Sequence, residues 1–236
     1  MSKATRQRQK RGMGRHAVSV AVAVAAFAIL GIGVLFITSG RTSAPDLAPG
    51  TNNVIGEATA PIQIEEWGDF QCPPCRAFAQ DIERELKRAY VQTGTVRFTF
   101  KHMAFLGDES VQAAAASECA AEQGQFWAYH DRLYAEQRGR NSGTFSKHNL
   151  KLWGADLGLD TASFNACVDD DRAVARVRAE TEEGRQKGVQ RTPTVFINGQ
   201  KIEGVPAWQD FQQLLDRLAL NDSGSASARS GQILPR

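Results

Sequence analysis

The stretch Glu66-Trp67-Gly68-Asp69-Phe70-Gln71-Cys72-Pro73-Pro74-Cys75 joins the end of a short apolar run to a Cys-x-x-Cys pair. The two prolines and the helical spacing that follows mark a helix start, because the first turn has no intrahelical use for the N–H groups that proline lacks. Cysteines so placed can close a small disulfide ring. Unpaired first-turn N–H groups and the positive end of the helix dipole stabilise a thiolate at Cys72, and such a setting lowers a cysteine pKa from about 8.5 by several units. Cys72, at an exposed first turn, is therefore the candidate nucleophile, and Cys75, one turn inward, the candidate resolving thiol. A zinc site is one rival use of the pair, but it needs a second pair of Cys or His ligands at comparable spacing. Cys119 and Cys167 stand alone, and His16, His102, His130 and His148 form no paired pattern, so no metal is expected. A merely structural local disulfide is the other rival.

The surrounding sequence frames the pair. Residues 61–67 predict a strand feeding the turn, and Phe78, Ile82, Leu86 and Tyr90 share one helix face until Thr93-Gly94. Residues 95–100, β-branched and aromatic, predict a second strand. Strand, helix and strand make a parallel βαβ unit with the cysteines at the carboxyl end of the first strand, where open α/β sheets place their sites. From about 108 to 187 the pattern is helical, with helices expected at 109–122, 125–136, 146–157, 160–168 and 172–186, broken at Gly124, 139–143, Gly158 and Gly188. This is a helical insertion. Residues 194–197, the turn Asn198-Gly199 and residues 201–204 predict a hairpin. A last amphipathic helix is expected over 206–220, burying Phe211, Leu214, Leu215 and Leu218.

This order of elements, with the runs Gly68-Asp69-Phe70-Gln71-Cys72-Pro73-Pro74-Cys75-Arg76 and Thr192-Pro193-Thr194-Val195-Phe196-Ile197-Asn198-Gly199, resembles the thioredoxin fold in its DsbA-type form over about residues 54–220. The expected class is α/β, a thioredoxin fold with a helical insertion domain. The resemblance implies a cis-proline at Pro193 beside the cysteines, with Thr192, Pro73 and Pro74 in the substrate-binding surface. It also implies a role for Glu66, six residues before Cys72, where thioredoxin relatives place a buried carboxylate beneath the second cysteine. A half-buried acid there has a raised pKa and can move a proton on or off Cys75. The alternative is a polar residue at a strand end. One departure matters: the best-known oxidases of the family have a histidine between the cysteines where this chain has Pro74, which supplies neither charge nor hydrogen bond to a thiolate.

Cys119 and Cys167 lie on different helices of the insertion in apolar company such as Ala115, Ala116 and Phe164. In an oxidising compartment two such cysteines are expected to pair as a structural disulfide, the alternative being two free buried thiols.

The compartment is read from the other end of the chain. The first sixteen residues carry Lys3, Arg6, Arg8, Lys10, Arg11 and Arg15 with no acid, and residues 17–38 form an uncharged apolar run. A helix crosses a bilayer with about 20 such residues. Basic residues before the run predict a cytoplasmic N-terminus (1–16), a transmembrane helix (17–38) and an extracytoplasmic remainder. The run exceeds the ~7–15-residue core of a signal peptide, and the small-residue site Thr42-Ser43-Ala44 is followed by Pro45. An uncleaved anchor is therefore expected; cleavage would make the domain secreted. Residues 39–53 read as a linker and 221–236 as a disordered tail. The chain's net charge of +2 is concentrated in the leading segment, so the remainder has no basic surface for nucleic acid.

These readings combine into a membrane-anchored, extracytoplasmic thiol–disulfide oxidoreductase. It is expected to catalyse disulfide formation in exported cysteine-containing polypeptides, to need no cofactor, to be recharged by a membrane redox partner and to act as a monomer. The rivals are a reductase or isomerase kept reduced by a membrane electron donor, and a non-catalytic, chaperone-like binding module.

Overall fold

The computed structural model describes residues 53–204 and 206–230. The basic segment 1–16, the apolar run 17–38, residues 39–52 of the linker and residues 231–236 of the tail lie outside the described residues. Among the described residues no helix is long and apolar enough to cross a membrane.

Five strands form one mixed sheet in the order β1-β3-β2-β4-β5. The central strands are β2 (Ile62–Gly68) and β3 (Val96–His102), paired in parallel from Ile62↔Val96 to Gly68↔His102. Alternation places Ile62, Ile64, Glu66, Val96, Phe98 and Phe100 on one buried face. β4 (Thr194–Ile197) runs antiparallel to β2, and β5 (Gln200–Glu203) antiparallel to β4. Asn198 and Gly199 close that hairpin with φ of 48° and 83°, as a two-residue turn that matches strand twist requires. One strand is absent from the sequence expectations: β1 (Val54–Ile55) pairs antiparallel with β3 at the sheet edge. Asn53 exchanges hydrogen bonds with Phe100, so the end of the expected linker is hydrogen-bonded to the sheet edge.

Helix α1 (residues 73–91) crosses between β2 and β3. It alternates α-helical turns at Pro73–Ala77 and Arg84–Leu86 with π-helical turns at Phe78–Glu83 and Lys87–Val91. A strict four-residue spacing overshoots an α-helical turn by about 40° per step. The wider turns take up that drift, so Phe78, Ile82, Leu86 and Tyr90 all stay buried against Ile62, Ile64, Val96 and Phe98. The final helix α7 (Trp208–Ser230) adds Phe211 and Leu215 to the same core. It runs ten residues beyond the expected end at Leu220, into the stretch read as a disordered tail.

Between β3 and β4 the chain forms the helical insertion: α2 (Asp108–Ala121), α3 (Phe126–Glu136), α4 (Lys147–Asp156), α5 (Thr161–Asp169) and α6 (Val174–Gln186). Its core is continuous with Phe70, Cys72, Cys75 and Phe100. Cys119 on α2 and Cys167 on α5 form a disulfide with Cα atoms 5.9 Å apart, closing a loop of 48 residues. In the chain-entropy account a loop of that length stabilises the fold by about 4 kcal/mol.

The opposite sheet face is covered by α6. A Cβ built on Gly184 would stand 2.7 Å from the Trp67 ring and 2.9 Å from Met103 Sδ, so that glycine is what lets helix and sheet approach. Gly184→Ala is expected to lower stability by about 1–3 kcal/mol through overpacking. Urea denaturation of wild type and variant measures the difference.

Candidate active site

Cys72 is the N-cap of α1, with extended backbone at φ −84° and ψ 115°, and Pro73 and Pro74 occupy the first two helical positions. Both prolines are exposed. Both thiols are free and buried, Cys72 at 4% and Cys75 at 0% exposure. The first sulfur is therefore less open than a first-turn position suggests. The reason is the segment before β4: the Thr192–Pro193 peptide is cis, and Cys72 Sγ lies 3.3 Å from the Thr192 carbonyl oxygen. Thr192 is half-buried and Pro193 buried.

The two sulfurs have opposite acidities. A hydrogen bond from the Cys75 thiol, set against the opposing effect of burial, brings the Cys72 pKa down to about 6. The Thr192 side chain and the Cys75 backbone N–H add to this, while the Asp69 charge opposes it. Neighbouring hydrogen bonds thus do the work that Pro74 cannot. Burial, first, and then the adjacent Cys72 and Glu66 push Cys75 well above the usual thiol range. Such a pair presents a thiolate on the outer sulfur and a proton on the inner one.

Glu66 on β2 is fully buried, and among the described residues neither carboxylate oxygen has a hydrogen-bond partner. Burial raises its pKa well above the ordinary value; Glu83 and Cys72 add to the rise and Lys87 opposes it. A Cβ on Gly68, at the end of the same strand, would stand 3.1 Å from the Tyr134 hydroxyl and 2.7 Å from the Phe100 ring. Glycine there lets the tyrosine reach the sheet beside Glu66.

The residues that hold the turn in place lie outside the sequence expectations. The Asp69 carboxylate is buried and accepts from the backbone N–H groups of Gln71, Phe105 and Leu106 at 2.8, 3.0 and 3.1 Å and from Ser110 Oγ at 2.7 Å. Gln71 donates to Ser110 Oγ and accepts from the backbone N–H of Asn141. Gln137 Nε2 donates to the carbonyls of Phe70 and Cys72 at 2.6 and 3.1 Å. Asp69 and Gln71 stand within the cysteine motif and were open to notice; Ser110, Gln137 and Asn141 come from segments with no spacing signal. Cys119 and Cys167 are at their own bond within the insertion.

Two outcomes follow from this chemistry. Alkylation of Cys72 by iodoacetamide is expected to titrate with a midpoint near 6, and Cys75→Ala, which removes the largest stabiliser of the thiolate, to move that midpoint up toward about 8.5. The second concerns Glu66. The unfolded chain releases this proton at about pH 4.3 while the folded protein retains it, so the unfolded state binds fewer protons and stability falls as pH rises above that value. The slope of unfolding free energy against pH between about 5 and 8 is expected to become less negative in Glu66→Gln, measured by urea titrations of the reduced protein.

Comparison with known proteins matches this arrangement. A family model described as thioredoxin covers residues 49–217. The Disulfide bond formation protein D of Bacillus subtilis (strain 168) is 24% identical over 167 residues, which span 70% of this chain and 75% of that protein. Among solved structures, oxidised BdbD from Bacillus subtilis superposes with a TM-score of 0.66 at 24% identity, covering 71% of this chain and 92% of that one. Wolbachia pipientis alpha-DsbA1 gives 0.66 at 20% identity, covering 77% and 95%. With a matching family model over most of its length and an asymmetric buried thiol pair at a helix start, the chain belongs to the thioredoxin family as a DsbA-type thiol–disulfide oxidoreductase.

Proposed function

We propose that the protein is an extracytoplasmic oxidase that introduces disulfides into exported polypeptides through Cys72-Pro73-Pro74-Cys75. The observation that carries this reading is the thiolate at Cys72, held to a pKa of about 6 without a histidine between the cysteines. Stabilising the reduced form makes the disulfide form a stronger oxidant. The Cys119–Cys167 bridge supports an oxidising compartment, and the name of the Bacillus subtilis relative, a disulfide bond formation protein, supports the direction.

In this reading a substrate thiolate attacks Cys72 Sγ and the Cys72–Cys75 bond breaks with its electron pair on Cys75. The second substrate thiolate then displaces Cys72, leaving a substrate disulfide and the reduced pair. Glu66 delivers the proton that Cys75 takes. Thr192 and Pro193, with the exposed Pro73 and Pro74, form the surface on which an extended substrate segment lies. Residues 17–38 anchor the domain as a single membrane pass with the N-terminus cytoplasmic, near a membrane partner that reoxidises the pair. The protein works as a monomer and needs no organic cofactor.

The reduction potential of the full chain, equilibrated against glutathione buffers in detergent, tests the direction. A value of about −120 to −180 mV is expected; one near −250 mV or below would make the protein a reductase served by a membrane electron donor. Full biological activity in Cys72→Ser would make it a binding module instead.

A further inference from the structure

Near Glu66 lies a second set of ionisable groups, Glu83 and His130 among them buried, that the thiol chemistry does not use. Glu83 on α1 is 1% exposed; its Oε1 pairs with Lys87, and among the described residues its Oε2 has no hydrogen-bond partner. That free oxygen is 3.5 Å from His130 Nε2 on α3, which is likewise buried and without a hydrogen bond. The other ring nitrogen, Nδ1, is 2.9 Å from Asp131 Oδ1, and Asp131 is exposed. Glu83, Lys87, Asp131 and Tyr134 line an open cleft of about 450 Å³.

The groups facing this set come from three elements. β2 contributes Glu66, α1 contributes Cys72, Cys75, Glu83, Arg84 and Lys87, and α3 contributes His130, Asp131 and Tyr134. Glu66 and Glu83 are close enough that a charge on Glu83 opposes one on Glu66, and the Tyr134 hydroxyl feels Cys75, Glu66 and Glu83 together. The Lys87 ammonium also stands 4.0 Å over the Trp127 ring, which fixes it against Glu83.

Two uses of Glu83, His130 and Asp131 are chemically open: a cation site or a proton path. One oxygen of each carboxylate and a ring nitrogen lie within 4.8 Å of one another, but Lys87 already supplies the positive charge at Glu83, which disfavours a cation there. An imidazole bridging a buried and an exposed carboxylate is suited to accept a proton at one nitrogen and release one at the other. We infer that Glu83, His130 and Asp131 form the route by which protons pass between solvent and Glu66. This rests on the reading of Glu66 as the group that protonates Cys75. When the disulfide opens, Cys75 takes its proton from Glu66, Glu66 is refilled from Glu83, Glu83 from His130, and a proton enters at Asp131. The substrate dithiol supplies the two electrons. The path runs outward when the pair is reoxidised.

The test is the rate at which reduced glutathione opens the Cys72–Cys75 disulfide in the full chain in detergent, followed by stopped flow across pH. Wild type is compared with Glu66→Gln, Glu83→Gln, His130→Ala and Asp131→Asn. The expected result is a loss of roughly 10-fold or more at neutral pH in Glu83→Gln and His130→Ala, with added imidazole restoring His130→Ala. Asp131→Asn, at an exposed position, is expected to slow the step and shift its pH profile while folding normally. The alkylation midpoint of Cys72 is expected to stay near 6 in these three variants. Slowing in Glu66→Gln alone, or a loss in His130→Ala that imidazole does not restore, would overturn the relay and leave the role of Glu66 standing. An unchanged rate and pH profile in Glu66→Gln would overturn that role and the relay together.

Discussion

The Asp69 carboxylate is the joint on which the active site depends. It is taken out of water at the end of β2, where an uncompensated charge would be costly, and is met by three backbone N–H groups and one hydroxyl. These donors come from the cysteine turn itself, from the β3–α2 loop and from the first turn of α2. One side chain therefore fastens the sheet, the turn and the insertion to each other. Gln71 and Gln137 repeat the device on the opposite side of the turn. Cys72 can then be held against Thr192 with little freedom, which its lowered pKa requires: hydrogen bonds stabilise a thiolate only when their donors stay aligned.

The same rigidity separates two buried carboxylates a few residues apart. Asp69 is surrounded by donors, whereas Glu66 has none. Burial pushes both carboxyls up, but at Asp69 the donors oppose the shift and at Glu66 no hydrogen bond does. This contrast is set by which element each side chain meets. Glu66 faces α1 and the aromatic interior, where the nearest ionisable groups are a second carboxylate, an ammonium and the thiols. Asp69 faces a loop whose N–H groups no strand or helix has claimed.

Much of the architecture was legible because it is written in local periods. The alternation along Val96–His102, the four-residue spacing from Phe78 to Tyr90 and the Asn198-Gly199 turn each specify an element within a short window. The cysteine motif likewise marks its own chemistry by standing at a helix start. What escaped was non-local or too short to show a period. Strand β1 has two residues, and its assignment depends on an open edge of β3. Ser110, Gln137 and Asn141 matter through partners 41, 67 and 70 residues away in the chain. Glu83 and His130 read as ordinary helix residues until the fold seals both from water. The unexpected burial of Cys72 has the same origin, since the cover is a segment 120 residues downstream.

That cover also decides which reactants can meet the sulfur. With only 4% of Cys72 exposed, an incoming thiol has to reach a sulfur that the Thr192 carbonyl already covers at 3.3 Å, which leaves it a narrow approach. A thiol on a slack, narrow stretch of chain can follow that approach, and one embedded in a rigid convex surface is stopped by its own neighbours. If the sulfur reacts with polypeptide thiols, its burial favours chains still loose at their cysteines over those that have closed around them.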